Sequence, residues 1–406
     1  MRIKSSCGIT ILMGISFIFC FMALSCSDQL GDNQSGCICP DDENEEGKEA
    51  TPKYANKIIF NNPQTIFNGK SDRIIFDQFI YLLDAAPKAS DVYVSIYMFD
   101  DHYLARALNK TKARGVNVHL QVDQSRSSSI NSNKEVIEIL KEEFDDFIVI
   151  NNASATSINH NKFAIFSSIE EGGVVYENII FQTSSNFMDE STYKFQDAQV
   201  FQSQELAKAY TIFFNSIGGF NNAGSMLNFE YLIQKDSLLD LRVQFYPKRS
   251  NGIEYGGDCF EEIMDEIDLN EEGHLLINMS AWTDTRSSIF TKLSEVAQSR
   301  VGLTVITKNS NHNSVLSALD ALRKDGAEVI ILDQYGSPKQ NTHMKVMTFT
   351  GTINHMPATF VVTGTHNLTT NALRYNNETL LYFNHEGVFK RYDDFHKQFL
   401  TIYQNL

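Results

Sequence analysis

The feature that most constrains this chain is that its order of helices and strands occurs twice. "DRIIFDQFIYLLDAA" has apolar residues at helical spacing, and "DVYVSIYMFDD" then reads as a buried strand. "HYLARALNKTKARG" predicts a helix stopped by glycine, and "VNVHLQVDQS" a second strand. About 180 residues later the same order returns as "CFEEIMDEI", "HLLINMSAWTD", "SSIFTKLSEVAQSR" and "VGLTVITKNS". Each half then reaches a β-rich stretch and a closing helix, "SQELAKAYTIFFNSI" and "VFKRYDDFHKQFLTIY". The alternation predicts an α/β fold of two similar units, each with a sheet flanked by helices.

Within each unit one short pattern recurs in register. "INHNKFAIF" carries His160 and Lys162, "NTHMKVMTF" carries His343 and Lys345, and the two histidines are 183 positions apart. Downstream, "FQTSSNFMDESTYKFQDAQVF" faces "VVTGTHNLTTNALRYNNETLLYF". Eleven residues beyond Asn186 lies Asp197, and eleven beyond Asn367 lies Glu378. Each unit therefore offers a histidine, a lysine, a hydroxyl (Ser184 or Thr365), an asparagine and a carboxylate. A carboxylate on one ring nitrogen orients a histidine and leaves the other nitrogen free, so Asp197 and Glu378 are expected to orient the histidines. Lysine and asparagine donate to an anionic oxygen. Doubled, the set supplies one histidine to attack and one to protonate a leaving group, which is phosphodiester cleavage without metal or other cofactor.

At these residues the chain resembles the phospholipase D superfamily, whose signature is a duplicated His-x-Lys followed by an Asp. The resemblance runs from about Phe60 to Tyr403. Ser167 and Thr350 stand where the family usually has that Asp, and Thr183 replaces a glycine that Gly364 keeps. The resemblance implies two pseudo-symmetric phospholipase D-like lobes with the active site at their interface; the protein is expected to be a monomer. It implies His160 as nucleophile and His343 as general acid, with near-symmetry leaving the reverse assignment open. Lys162, Lys345, Asn186 and Asn367 would hold phosphate oxygens, and Ser184 and Thr365 would bind phosphate or secure loops. His366 is expected to point away from its neighbours by strand alternation. Trp282, aligned with Asp100, is expected in the core or at the cleft rim.

The segment boundaries follow composition. Arg2 and Lys4 precede an apolar, charge-free run from Cys7 to Ala23, which predicts an export signal over residues 1–25. "MALSCSD" resembles a lipoprotein signal in which Cys26 is lipidated, giving a membrane-anchored or secreted protein; an uncleaved anchor helix is the alternative. Residues 26–56, acidic and poor in large apolar side chains, predict a tether. The lobes are then 57–228 and 229–406. Cys37 and Cys39 lack zinc spacing, and whether either pairs with Cys259 is left open.

Substrate is the least constrained property. A net charge of −16 argues against a broad nucleic-acid surface but is compatible with a small basic cleft. Export beside a membrane favours hydrolysis, or transphosphatidylation, of phospholipid head groups. The compact repeat favours a nuclease acting on DNA or RNA. An inactive binding module is disfavoured by the two complete His-Lys pairs, and a synthase by the lack of a preceding transmembrane pair.

Overall fold

The computed structural model describes residues 57–141, 147–150, 157–221, 231–250, 253–254, 256–309 and 312–406. The signal run, Cys26, the tether, Cys37 and Cys39 lie outside the described residues. In the first half the elements are β1 (Lys57–Phe60), α1 (Pro63–Phe67), α2 (Ile74–Ala85), β2 (Asp91–Ile96), α3 (His102–Ala113), β3 (Asn117–Asp123) and α4 (Ser127–Lys141). There follow β4 (Phe147–Ile150), β5 (Lys162–Glu171), β6 (Val174–Thr183), β7 (Asp197–Gln202) and α5 (Gln204–Asn221). The second half contains β8 (Leu232–Asp236), β9 (Leu241–Tyr246), β10 (Arg249–Ser250), β11 (Ile253–Glu254), α6 (Cys259–Met264), β12 (Gly273–Met279) and α7 (Ser287–Ala297). It closes with β13 (Val301–Lys308), α8 (Asn313–Asp325), β14 (Glu328–Leu332), β15 (Lys345–Ile353), β16 (Met356–Gly364), α9 (Thr370–Arg374), β17 (Glu378–Phe383) and α10 (Glu386–Gln404).

Two mixed sheets result, ordered β1-β7-β6-β5-β2-β3-β4 and β14-β13-β12-β15-β16-β17-β9-β8. The second repeats the first strand for strand and adds β8 at its edge. In both, the strands that follow helical crossovers pair in parallel, while those joined by hairpins pair antiparallel. The described residues form a single compact unit.

Both sheets are covered on both faces, which is why their strands read as nearly continuous apolar runs. In β5, Phe163 and Ile165 join a core shared by the two sheets, whereas Ala164 and Phe166 join an outer core under α2, α3 and α4. The second sheet's outer core lies under α6, α7 and α8. Helices α5 and α10 fill the space between the sheets, and Tyr210 and Tyr392 are fully buried there. Helix α3 starts where the Asp101 side chain accepts from Leu104 N at 2.9 Å. Helix α8 ends at Gly326, whose φ of +114° suits a residue without Cβ.

Three expectations are refined here. Regular β2 ends at Ile96, five residues before the end of the quoted strand stretch. Trp282 lies in the outer core: it stacks on Phe290 and donates from Nε1 to Thr307 Oγ1 at 3.1 Å. The bridge from Trp282 to Leu368 mirrors that from Phe99 to Phe187, so its counterpart is Phe99 and not Asp100. Cys259 is a buried free thiol packed near Tyr246, and burial raises its pKa to about 11. Among the described residues no helix is long and apolar enough to cross a membrane.

Candidate active site

The two histidine segments are seated by the opposite halves of the chain. His160 N donates to Asn377 O at 3.0 Å, and Asn377 N returns a bond to Ile158 O. His343 N donates to Phe195 O at 2.9 Å, and Phe195 N returns one to Asn341 O. Each histidine lies two residues before the start of an antiparallel strand, β5 or β15, and faces the start of the other half's β17 or β7. The site is therefore built across the pseudo-twofold axis from main-chain bonds, whatever the side chains do.

Glu378 lies against His160. His160 Nδ1 lies 2.7 Å from Glu378 Oε2, and because a carboxylate only accepts, the ring carries its proton on Nδ1. Asn376 Nδ2 donates to the other oxygen at 3.0 Å, which fixes the carboxylate in turn. Asp197 does not repeat this arrangement. Its Oδ2 accepts from Thr363 Oγ1 at 2.5 Å, Tyr392 OH at 2.7 Å and Gln199 Nε2 at 2.8 Å, tying the first sheet to the second sheet and α10. His343 Nδ1 instead faces Ser184 O at 2.9 Å and Gln196 Oε1 at 3.2 Å.

The register explains this correction. Ser184 N donates to Asp197 O as Thr365 N donates to Thr379 O, so Asp197 is equivalent to Thr379 and Gln196 to Glu378. The link from Asn367 to Glu378 is one residue longer than that from Asn186 to Gln196. Counting eleven positions in both halves thus lands one residue late in the first. Gln196 was missed because an amide carries no sequence signal for this role. Its orientation is set by Nε2, which donates to Ser191 O at 2.6 Å.

The remaining residues assemble around these histidines. Lys162 and Lys345 are fully buried and donate from Nζ to the carbonyls of His160 and His343 at 2.7 and 2.5 Å. Ser184 and Thr365 are buried and accept from Asp197 N and Thr379 N, each at 3.0 Å, so they secure the loops. The side-chain oxygens of Asn186 and Asn367 are buried without a hydrogen-bond partner, leaving both amides uncommitted. His366 is fully buried against Tyr246 and Phe260, facing away from solvent. Ser167, in the place of the signature Asp, accepts from Asp91 N at 2.8 Å and anchors the start of β2.

Tyr97, just beyond β2, was not singled out in the sequence. Its ring lies 5.2 Å from that of His160 and 5.5 Å from Lys162 Nζ. Hydrophobic patterning placed it in a strand, and only the end of β2 at Ile96 turns it into the site.

Burial dominates the electrostatics. It pushes His160 down to about 4, with the Glu378 carboxylate opposing, and Lys162 down to about 7. Burial and the charges of Lys345, Lys194, Lys162 and Lys308 hold His343 well below the usual histidine value. Lys345 is lowered by burial and by Lys162. Among the described residues no group of three His, Cys, Asp or Glu side chains is placed to hold a metal ion. Each ring is held through Nδ1, which leaves its Nε2 for substrate, and Lys162 and Lys345 both act on the two rings.

Comparison with known proteins accords with this geometry. Residues 80–217 and 265–400 each match the family described as "Cardiolipin synthase, PLD-like domain". A search among curated proteins finds no match. Among solved structures, phosphatidylserine synthase of Haemophilus influenzae Rd KW20 is similar at TM-score 0.53 and 13% identity, over 79% of this chain and 83% of that one. Polyphosphate kinase of Porphyromonas gingivalis is similar at TM-score 0.52 and 11% identity, over 84% of this chain. The chain spans 50% of the kinase's length, and these likenesses establish the fold alone. With the family match covering both halves and the duplicated His-x-Lys site at their junction, the chain belongs to the phospholipase D-like domain family.

Proposed function

We propose that the protein is a metal-independent phosphodiesterase of the phospholipase D type, acting on phospholipid head groups through a phosphohistidine. The observation that carries this reading is the His160–Glu378 pair, which fixes a proton on Nδ1 and leaves the Nε2 lone pair for attack. In the first step His160 Nε2 forms a bond to phosphorus as the bond to the leaving oxygen breaks. His343 Nε2 gives its proton to that oxygen. In the second step His343 takes a proton from water or an alcohol, whose oxygen bonds to phosphorus while the P–N bond breaks and its electron pair returns to His160. Lys162, Lys345, Asn186 and Asn367 hold the non-bridging oxygens, where charge accumulates.

Phosphatidyl substrates are favoured by two considerations. The N-terminal sequence implies export to a membrane surface. The matched family's description and the name of the Haemophilus protein both denote enzymes that handle phosphatidyl groups. That description also weighs against the expectation that disfavoured a synthase, so transfer to an alcohol stands beside hydrolysis in this reading.

The test is turnover of phosphatidylglycerol and phosphatidylcholine vesicles, and of single-stranded DNA, in EDTA. Phospholipid cleavage that survives the chelator is expected. His160→Ala and His343→Ala should each lose a factor of roughly 10² or more. Near-wild-type turnover in either variant would sink the shared site, and cleavage of DNA alone would make the protein a nuclease of the same fold.

A further inference from the structure

The pseudo-twofold axis relates the two histidines in position, yet three equivalent neighbours differ in charge, all in one direction. Opposite each Nδ1, Glu378 on the His160 side corresponds to Gln196 on the His343 side. Two residues earlier, Asn376 corresponds to Lys194. The third pair sits at the ends of β3 and β13. Gln124 N donates to Ile150 O as Asn309 N donates to Leu332 O, which makes Asp123 and Lys308 equivalent. Asp123 is fully buried and accepts from Asn159 N, Ser125 and Ser129, bracing the segment before His160. Lys308 is half-buried and has no acidic partner within ion-pair distance among the described residues. Lys194 is ion-paired with Glu190 at 2.5 Å, so the exchanges that leave the His343 side more positive are those at Gln196 and Lys308.

We propose that Gln196 is a positioning residue that holds His343 through an uncharged hydrogen bond, and that this amide, with Lys308, polarises the site so that only His160 serves as nucleophile. The inference rests on the phosphohistidine reading above and adds what breaks its symmetry. A carboxylate behind His160 stabilises the positive ring formed when Nε2 bonds to phosphorus. The Gln196 amide, together with the Ser184 carbonyl oxygen, fixes the same tautomer but supplies no such charge, so that ring remains a proton donor of high acidity. The charged groups facing His343 are Lys345 from β15, Lys162 from β5, Lys308 from β13 and Lys194 from the segment before β7, the last ion-paired with Glu190. Those facing His160 are Glu378, Lys162 and Lys345. An anionic phosphodiester seated among the lysines offsets their field and lets His343 hold its proton until the leaving oxygen takes it.

The experiment is a histidine titration by NMR on the full chain carrying ¹³C-labelled histidine, with the His343 signal identified by its loss in His343→Asn. Gln196→Glu keeps an acceptor facing His343 Nδ1 and adds a charge, at the loss of the bond to Ser191 O. It should raise the His343 midpoint by about one unit or more while leaving His160 in place. The alkaline limb of kcat/KM should move up with it, because the protonated acid then persists to higher pH. Lys308→Met, which leaves the hydrogen bond untouched, should raise the same midpoint by a smaller amount and decides the matter if Gln196→Glu does not fold. An unmoved His343 midpoint in the folded variants, or a shift at His160 instead, would overturn the proposal. If the midpoints move as expected but the wild type forms no phosphohistidine and turns over no phosphodiester, Gln196 positioning stands and the phosphohistidine reading fails.

Discussion

Asp197 and Glu378 are both fully buried carboxylates at the starts of equivalent strands, and one residue of register separates their roles. Glu378 spends one oxygen on His160 and the other on Asn376. Asp197 gathers Thr363, Tyr392 and Gln199. Removing a partner from a buried network strands the groups it satisfied, at a cost of about 1–3 kcal/mol for each group left bare. Asp197→Ala should therefore lower stability by about 2 kcal/mol or more, while what activity remains keeps the wild-type pH dependence. Glu378→Gln should cost little stability but reduce turnover by roughly 10²-fold or more, since the histidine loses the charge that stabilises it. Thermal denaturation and turnover measured on both variants check this, and the opposite pattern would return Asp197 to the catalytic set.

At the scale of elements, β16 and β17 must approach closely to place Glu378 against the other half. Gly364 makes that approach possible: its φ is +135°, and a Cβ there would collide with the Thr379 carbonyl oxygen. In the first half Thr183 occupies the equivalent position without a positive φ and donates from Oγ1 to Asp197 O at 2.7 Å. The longer link to β17 and the glycine thus belong to the half that delivers the carboxylate. Gly364→Ala should shift the start of β17, lower stability by about 1–3 kcal/mol and cut kcat at least ten-fold. Unfolding midpoints and kinetics together measure this; an unaltered kcat would show that the glycine does not set the Glu378 geometry.

For the whole molecule, the site works against stability. Between about 4 and its ordinary value of 6.5, His160 binds a proton in the unfolded chain that the folded chain lacks. Lys162 does so between about 7 and 10.5. More protons on the unfolded state mean that stability rises with pH across both windows. Asp123, raised by burial, acts in the opposite sense just above 3.8. Lys162→Met removes a fully buried ammonium and should raise the melting temperature at pH 7 by several degrees, flatten its rise between about pH 7 and 10, and abolish turnover. Melting curves across pH decide it. A variant no more stable than wild type, with the same pH slope, would show that Lys162 is held without cost.

The sequence by itself determined the two-lobed α/β architecture, because a duplicated alternation of apolar periods leaves few other ways to bury both faces of each sheet. It also singled out the four His and Lys side chains, since His-x-Lys ahead of an apolar strand recurs in register at His160 and His343. It could not say which acidic or amide side chain reaches which ring. That depended on the one-residue difference between the links to β7 and β17, visible only once the strands are paired. Tyr97 and Lys308 were hidden for a related reason. Each lies at the end of a strand whose pattern reports burial, and where such an end points is decided by the chain packed against it. Tertiary structure alone brought Glu378 and Gln196 across the axis, because a contact between residues some 150 to 220 positions apart leaves no trace in local pattern.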